Sequence, residues 1–176
     1  KGTICLCTPS LHRLDDNPCT SACRRRAKKN GPNQCLGRSR GGFSTKIHAA
    51  CVSEDCAVSL VLTPGQDHDG RQFEAVYECL DADNVLEAAC LDRGYDADRI
   101  RERLELDGIE SVIPPISTRS RKLHYDKGLY KERNRIERFF SKIKQFRRIA
   151  TRYDKLANSF FSFVCLAAAF LCIRNS

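Results

Sequence analysis

Two short β-prone runs, followed by helical and extended segments in alternation, constrain the fold of this chain most tightly. Phe43 to Val52 places β-favouring residues at Phe43, Thr45, Ile47 and Val52, and Cys56 to Thr63 is a short apolar run. Ser53-Glu54-Asp55 breaks the two into a hairpin, and Pro64-Gly65 closes the second strand. A helix is expected from Arg71 to Leu80, where Phe73, Val76, Tyr77 and Leu80 share one stripe. Asn84 to Leu91 fits strand or helix on period alone. The loop Asp92-Arg93-Gly94-Tyr95-Asp96 decides for a strand, because it opens a helix capped near Asp96 with Ile100 and Leu104 on its apolar side. Gly108 stops that helix, and Ile109 to Ile113 forms another strand ended by Pro114-Pro115. From Asp126 the pattern is helical to the end, with a weak break near Ala150-Thr151. The order β–β–helix–β–helix–β–helices is that of an α/β sheet with helices packed on it.

Residues 1–30 show no sustained period, so an irregular N-terminus is expected, with Arg24–Arg26, Lys28 and Lys29 as a basic run. At 176 residues the chain suits one domain with room for a sizeable core. With 41% hydrophobic and 30% charged residues, wholesale disorder is excluded. The formal charge of +8 points to a polyanionic partner. It is unevenly spread: residues 1–42 hold nine basic and two acidic side chains, 43–115 hold six and sixteen, and 116–176 hold fifteen and four. Two domains of opposite charge, a solvated acidic face, or one domain whose carboxylates gather a metal beside a phosphate-holding surface would each produce this pattern.

Eleven cysteines suggest a disulfide scaffold, but no CxxC pair occurs, and Cys51, Cys56, Cys90, Cys165 and Cys172 lie in apolar runs. A reduced, cytoplasmic protein is expected. Phe163 to Ile173 is apolar without interruption, yet eleven residues fall short of the roughly 20 that a bilayer span needs. A buried C-terminal helix and no membrane partner are expected. No signal peptide is visible, and the absence of Met even at position 1 suggests a fragment, a processed chain or a translation that did not begin at a start codon.

The helical stretch after Asp126 carries Tyr130, Arg133, Glu137 and Lys144. At about 100° per residue, offsets of 3, 7 and 14 fall at roughly −60°, −20° and −40°, so all four share one stripe. A carboxylate beside two cations can hold a metal ion while the cations grip a phosphate; an i,i+4 salt bridge between Arg133 and Glu137 fits the same spacing. Asp92 ends an apolar strand at the carboxyl edge of the sheet, where sites in α/β folds open. It suits a Mg²⁺ ligand, or equally a plain helix cap. His68-Asp69 is read as a turn element.

These residues carry a resemblance. Tyr130-x2-Arg133-x3-Glu137-x6-Lys144 resembles the signature of bacterial insertion-sequence transposases of the IS4/IS5 type, with a DDE carboxylate triad. The blocks GRSRGGFSTKIHA (37–49), LTPGQDHD (62–69), DRGYDAD (92–98), VIPP (112–115) and YKERNRIERFFSKIKQFRRIATRYDK (130–155) extend it from about Lys28 to the C-terminus. The resemblance implies a ribonuclease-H-like mixed sheet flanked by helices, with long C-terminal helices. It implies Mg²⁺ or Mn²⁺ chemistry in which water, then a 3′-hydroxyl, attacks phosphodiesters at element ends. Asp92 would be the second carboxylate of the triad and Glu137 the third, both holding metal. Tyr130, Arg133 and Lys144 would face DNA, with Arg147, Arg148 and Arg152 extending the phosphate-binding surface. Double-stranded DNA of element ends and target, a homodimer in synapsis, and a bacterial cytoplasmic, nucleoid-associated location follow from the same resemblance.

The opening strand departs from the family pattern. The family's first catalytic aspartate sits in a context like Asp-Ser-Thr-x-(Val/Ile)-Arg-Ala-His-Gln-His, shortly before the Lys28-Lys29 region. Here Arg13 to Arg26 reads RLDDNPCTSACRRR, and Pro18 suits a central strand badly. Read one base later from within the Arg13 codon, permitted codons can spell Asp-Ser-Thr-Thr-Ile-Arg-Ala-His-Gln-His. Residues 1–27 are therefore expected to be an irregular, out-of-frame segment and 28–176 the catalytic domain, with a sheet edge left bare beside Phe43–Val52. Either a degenerate transposase or a non-catalytic basic DNA-binding remnant would fit.

Overall fold

The computed structural model describes residues 2–7, 10–12, 34–39, 42–80, 86–120, 123–154 and 156–174. Among these, seven strands form one mixed sheet: β1 (Gly2–Cys7), β2 (Ser10–His12), β3 (Gly37–Ser39), β4 (Gly42–Cys51), β5 (Ala57–Pro64), β6 (Leu86–Leu91) and β7 (Glu110–Val112). Across the sheet the order is β5-β4-β1-β6-β7. The β4–β5 hairpin and the β1–β4 pair are antiparallel, while β1–β6 and β6–β7 are parallel. Parallel neighbours need crossovers, and helices supply them. The helices are α1 (Phe73–Tyr77), α2 (Asp98–Leu106), α3 (Lys127–Tyr130), α4 (Asn134–Ile143), α5 (Arg147–Ala150) and α6 (Ala157–Arg174).

Alternation along the strands sorts side chains into two cores. Cys5, Ile47, Ala49, Cys51, Ala88 and Cys90 face α4, α5 and α6, where Ile136, Phe139, Ile143, Ile149, Phe160 and Val164 meet them. Ile4, Leu6, Ala50, Ala89 and Leu91 face the opposite layer, with Phe73 and Val76 of α1, Tyr95, and Ile100 and Leu104 of α2. The result is the α/β architecture expected from the sequence, a mixed sheet flanked by helices.

The bare edge beside Phe43–Val52 and the irregular start are corrected for residues 2–7 and 10–12. β1 lies at the centre of the sheet, between β4 and β6, and β2 continues along β4 in the same register: Cys7 is opposite Ala49, and Ser10 is opposite Lys46. The apolar side chains of Ile4 and Leu6 are buried, which is what holds this short strand. Residues 13–33, including the stretch expected to be out of frame, lie outside the described residues.

Other boundaries also shift. The Arg71–Leu80 helix is a 3₁₀ turn at Asp69–Arg71 followed by the five residues of α1. Helix α2 is preceded by Ala97, not capped by Asp96. The buried Asp96 carboxylate instead accepts from the Ile116 amide at 2.8 Å and pairs with Arg101 and Arg119. Gly108 ends α2 with φ +72°, a left-handed turn that glycine adopts without strain. The helical run expected after Asp126 does break after Ala150, as expected, and is broken once more at Lys144–Phe146. Helix α6 spans 18 residues and is long and apolar enough by length and composition to cross a membrane. Here it packs on the sheet along one face through Phe160, Val164, Ala167, Ala168 and Leu171, while Leu166, Phe170 and Ile173 face outward.

Candidate active site

Asp92 follows directly on β6, its backbone still extended (φ −68°, ψ 158°). Strand alternation puts it on the side of Ala88 and Cys90, facing the layer that contains α4. It precedes the 3₁₀ turn Arg93–Tyr95, but its carboxylate makes no cap hydrogen bond there, so the capping role is set aside. That carboxylate pairs instead with Arg133, Nη1 to Oδ1 at 2.9 Å. The other terminal nitrogen of Arg133, Nη2, donates to Glu137 Oε1 at 2.7 Å. One guanidinium thus joins the two carboxylates singled out in the sequence, across 45 residues of chain.

Local structure explains how Arg133 reaches both. Asp126 caps α3 by accepting from the amides of Gly128 at 2.6 Å and Leu129 at 3.1 Å. The chain then tightens into a 3₁₀ turn at Lys131–Arg133 before α4 begins. Two buried thiols of the sheet hold this segment from below. Cys5 donates to the Glu132 carbonyl at 3.2 Å, and Cys90 donates to the Leu129 carbonyl at 3.3 Å. The adjacent Cys5 thiol, together with burial, pushes the Cys90 thiol pKa upward, so it stays protonated. Arg133 also lies over the Tyr130 ring, 5.5 Å from its centroid, and Tyr125 meets that ring edge-on. Partial burial pulls the Arg133 pKa down, but the Asp92 charge, Tyr130 and Glu137 outweigh it and hold the group above its usual value.

The remaining cations divide. Lys144 follows the last residue of α4, and the 3₁₀ turn at Lys131–Arg133 winds about 120° per residue, so the single stripe drawn at 100° does not hold strictly. Lys144 is half-buried and Arg147 exposed; neither forms an ion pair among the described residues. Arg148 is committed to Asp154 by two bonds of 2.7 and 3.0 Å and lies over Phe163. Arg152, expected on the phosphate-binding surface, is 5% exposed and serves the core. It donates to the carbonyls of Gln34, Cys35 and Asp154 and to Thr45 Oγ1, beneath the Phe160 ring.

No third carboxylate joins Asp92 and Glu137 to make a cluster of three metal-ligating side chains among the described residues. Leu6 of β1 pairs with Leu91 of β6, so the position abreast of Asp92 in the neighbouring strand is Cys7. Asp15 and Asp16 lie outside the described residues.

Comparison with known proteins adds the family. The model of the transposase DDE domain matches residues 16–172. The chain belongs to the DDE transposase family. A Brucella ovis protein named "Putative transposase for insertion sequence element IS6501" is 36% identical over 142 residues, covering 75% of this chain and 100% of that protein. A Burkholderia cepacia protein named "Putative transposase for insertion sequence element IS402" is 28% identical over 152 residues, covering 82% of this chain and 68% of that protein. No solved structure matches the chain. The family match begins at residue 16, so β1 and β2 precede it, while the blocks from Gly37 to Lys155 fall inside it.

Lys46 of this DDE transposase was given no role from the sequence and Asp69 only that of a turn element, although both lie in quoted blocks. Lys46 of β4 donates from Nζ to the Asp67 carbonyl at 2.6 Å and to Asp69 Oδ1 at 2.9 Å. Lys46 as the one Lys, Arg, Asp or Glu in the ten residues of β4 is the signal that could have flagged the pair.

Proposed function

We propose that this chain carries out metal-dependent hydrolysis and strand transfer at phosphodiesters of insertion-sequence ends, with Asp92 and Glu137 as two metal ligands. The observation that supports this reading is the convergence of both carboxylates on Arg133. Their donor set is hard oxygen, which suits Mg²⁺ or Mn²⁺ and supplies two of the protein ligands such an ion takes. A bound ion would activate the attacking oxygen and stabilise the leaving one. The chain's own residues do the rest. Arg133 offsets the mutual repulsion of the two carboxylates, and because Nη1 and Nη2 each bond one of them, its remaining N–H groups are those left to meet a phosphate. Lys144 and Arg147 extend positive charge past the end of α4, while Arg148 contributes little because Asp154 holds it. DNA as substrate places the activity in the bacterial cytoplasm, on the nucleoid, with a second copy needed to pair two element ends.

A second reading, a basic DNA-binding remnant without catalysis, is favoured by one observation: the strand position abreast of Asp92 is Cys7, not a carboxylate. A cleavage assay on DNA in Mn²⁺ separates the two. Catalysis predicts product that Asp92→Asn or Glu137→Gln reduces by about 10³-fold or more while DNA binding persists. Binding of DNA with no product at any Mn²⁺ concentration selects the remnant.

A further inference from the structure

The loop after β5 is fastened to the turn that carries Asp92. Lys46 holds it at two points, the Asp67 carbonyl and the Asp69 carboxylate, with the lysine side chain 14% exposed. Beyond Asp69 the loop lies flat on the Arg93–Tyr95 turn. A Cβ on Gly70 would come within 3.2 Å of the Gly94 carbonyl, and one on Gly94 within 3.7 Å of Asp69 Oδ2. Arg99 of α2 adds a third fastening by donating to the Gly70 carbonyl and to Glu74. The turn itself is closed by the Tyr95 amide donating to the Asp92 carbonyl at 2.9 Å and the Asp96 amide to the Arg93 carbonyl at 3.1 Å.

We infer that Lys46 and Asp69 are positioning residues for Asp92. Their ion pair presses the 67–70 loop onto the Arg93–Tyr95 turn and so fixes the backbone from which the Asp92 carboxylate projects toward Arg133. Asp92 is then held from both layers: its side chain by the α4 side, its backbone by the α1 side. A strand end has no hydrogen-bonded ladder beyond its last pair, so a carboxylate placed there needs outside support to keep one geometry. Partial burial of Lys46 limits the solvent screening of its attraction to Asp69, whose side chain is 31% exposed, and the backbone carbonyl of Asp67 satisfies a second ammonium proton.

The relevance to metal binding rests on the proposed ligand role of Asp92, so the test has two independent readouts on the full chain. The first is hydrogen exchange at the Tyr95 and Asp96 amides, with α6 as internal reference. The second is Mn²⁺ affinity by electron paramagnetic resonance. Lys46→Met and Asp69→Asn are expected to speed exchange at Tyr95 and Asp96 by about tenfold while α6 is unchanged. The same variants are expected to weaken Mn²⁺ binding by about tenfold, and Lys46→Arg restores both to within about threefold. Unchanged exchange at those two amides overturns the inference. So do equal acceleration in α6, unchanged Mn²⁺ affinity in a wild type that binds the ion, and failure of Lys46→Arg to rescue. If Lys46→Met does not fold, the half-buried Asp69→Asn carries the test. A wild type that binds no Mn²⁺ removes the ligand reading of Asp92, and the exchange data still decide whether the brace exists.

Discussion

Acidification should expose the cost of charging His48. This residue of β4 is fully buried, with Nε2 2.7 Å from Thr63 Oγ1 across the hairpin. Burial is the largest cause lowering its pKa from 6.5 to about 4; nearby Asp69 opposes the drop and Lys46 adds to it. The unfolded chain therefore takes up this proton near pH 6.5, whereas the folded chain resists until about pH 4. Stability contributed by neutral His48 is fully present above 6.5 and is lost as pH falls toward 4. Integrated over that window, the loss is about 3 kcal/mol. Two carboxylates border the window. Burial favours protonation of Asp96, but the Ile116 amide, Arg101 and Arg119 hold its pKa below the ordinary 3.8. Glu54 is lowered by Arg138 and Lys142. Both persist in a His48→Gln variant, whose amide can still meet Thr63 but cannot take a proton, so the difference between the two proteins isolates the histidine. Urea unfolding at half-unit steps from pH 7 to 4 measures it. Parallel stability curves for the wild type and His48→Gln would refute the reasoning.

The cations of the C-terminal third give two further expectations. Arg147→Ala should lower the slope of log affinity for duplex DNA against log salt by about 0.9, whereas Arg148→Ala should leave it unchanged because Asp154 already neutralises that side chain. Arg152→Met should cost about 2–4 kcal/mol in urea unfolding, since it removes the donors to the Gln34 and Asp154 carbonyls and to Thr45 Oγ1, while the Cys35 carbonyl keeps its bond from Thr45.

What could be read from the sequence was what local chemistry decides. The β4–β5 hairpin, β6 with its Asp92 terminus, α2 and its Gly108 stop all follow from short-range patterning and turn residues. β1 escaped because Gly2–Cys7 is only six residues, and its strand character comes from being sandwiched between β4 and β6. The break between α4 and α5 escaped too. Phe146 leaves the helix with ψ 105° and turns its ring toward Phe163 and Phe170, a tertiary gain that helix-favouring neighbours do not reveal. At the candidate site, the spacing of Tyr130, Arg133, Glu137 and Lys144 pointed to the segment on which the structure places Arg133 and Glu137 side by side. The bridging of Asp92 to Glu137 through Arg133, and the Lys46–Asp69 pair 23 residues apart, are long-range contacts that only the tertiary fold brings about. Arg152 looked like one more surface cation, since nothing in its neighbours announces that Gln34 and Cys35 fold over it.

The placement of β1 bears on how the protein comes off the ribosome. β1 is synthesised before either of its sheet partners, and its parallel neighbour β6 begins some 80 residues later. The β4–β5 hairpin closes locally, so it can assemble early, and the first strand must then slot between that hairpin and a strand made afterwards. Until then Ile4, Leu6 and their neighbours wait without a binding groove, a period in which a holdase chaperone or a second nascent chain would compete for them.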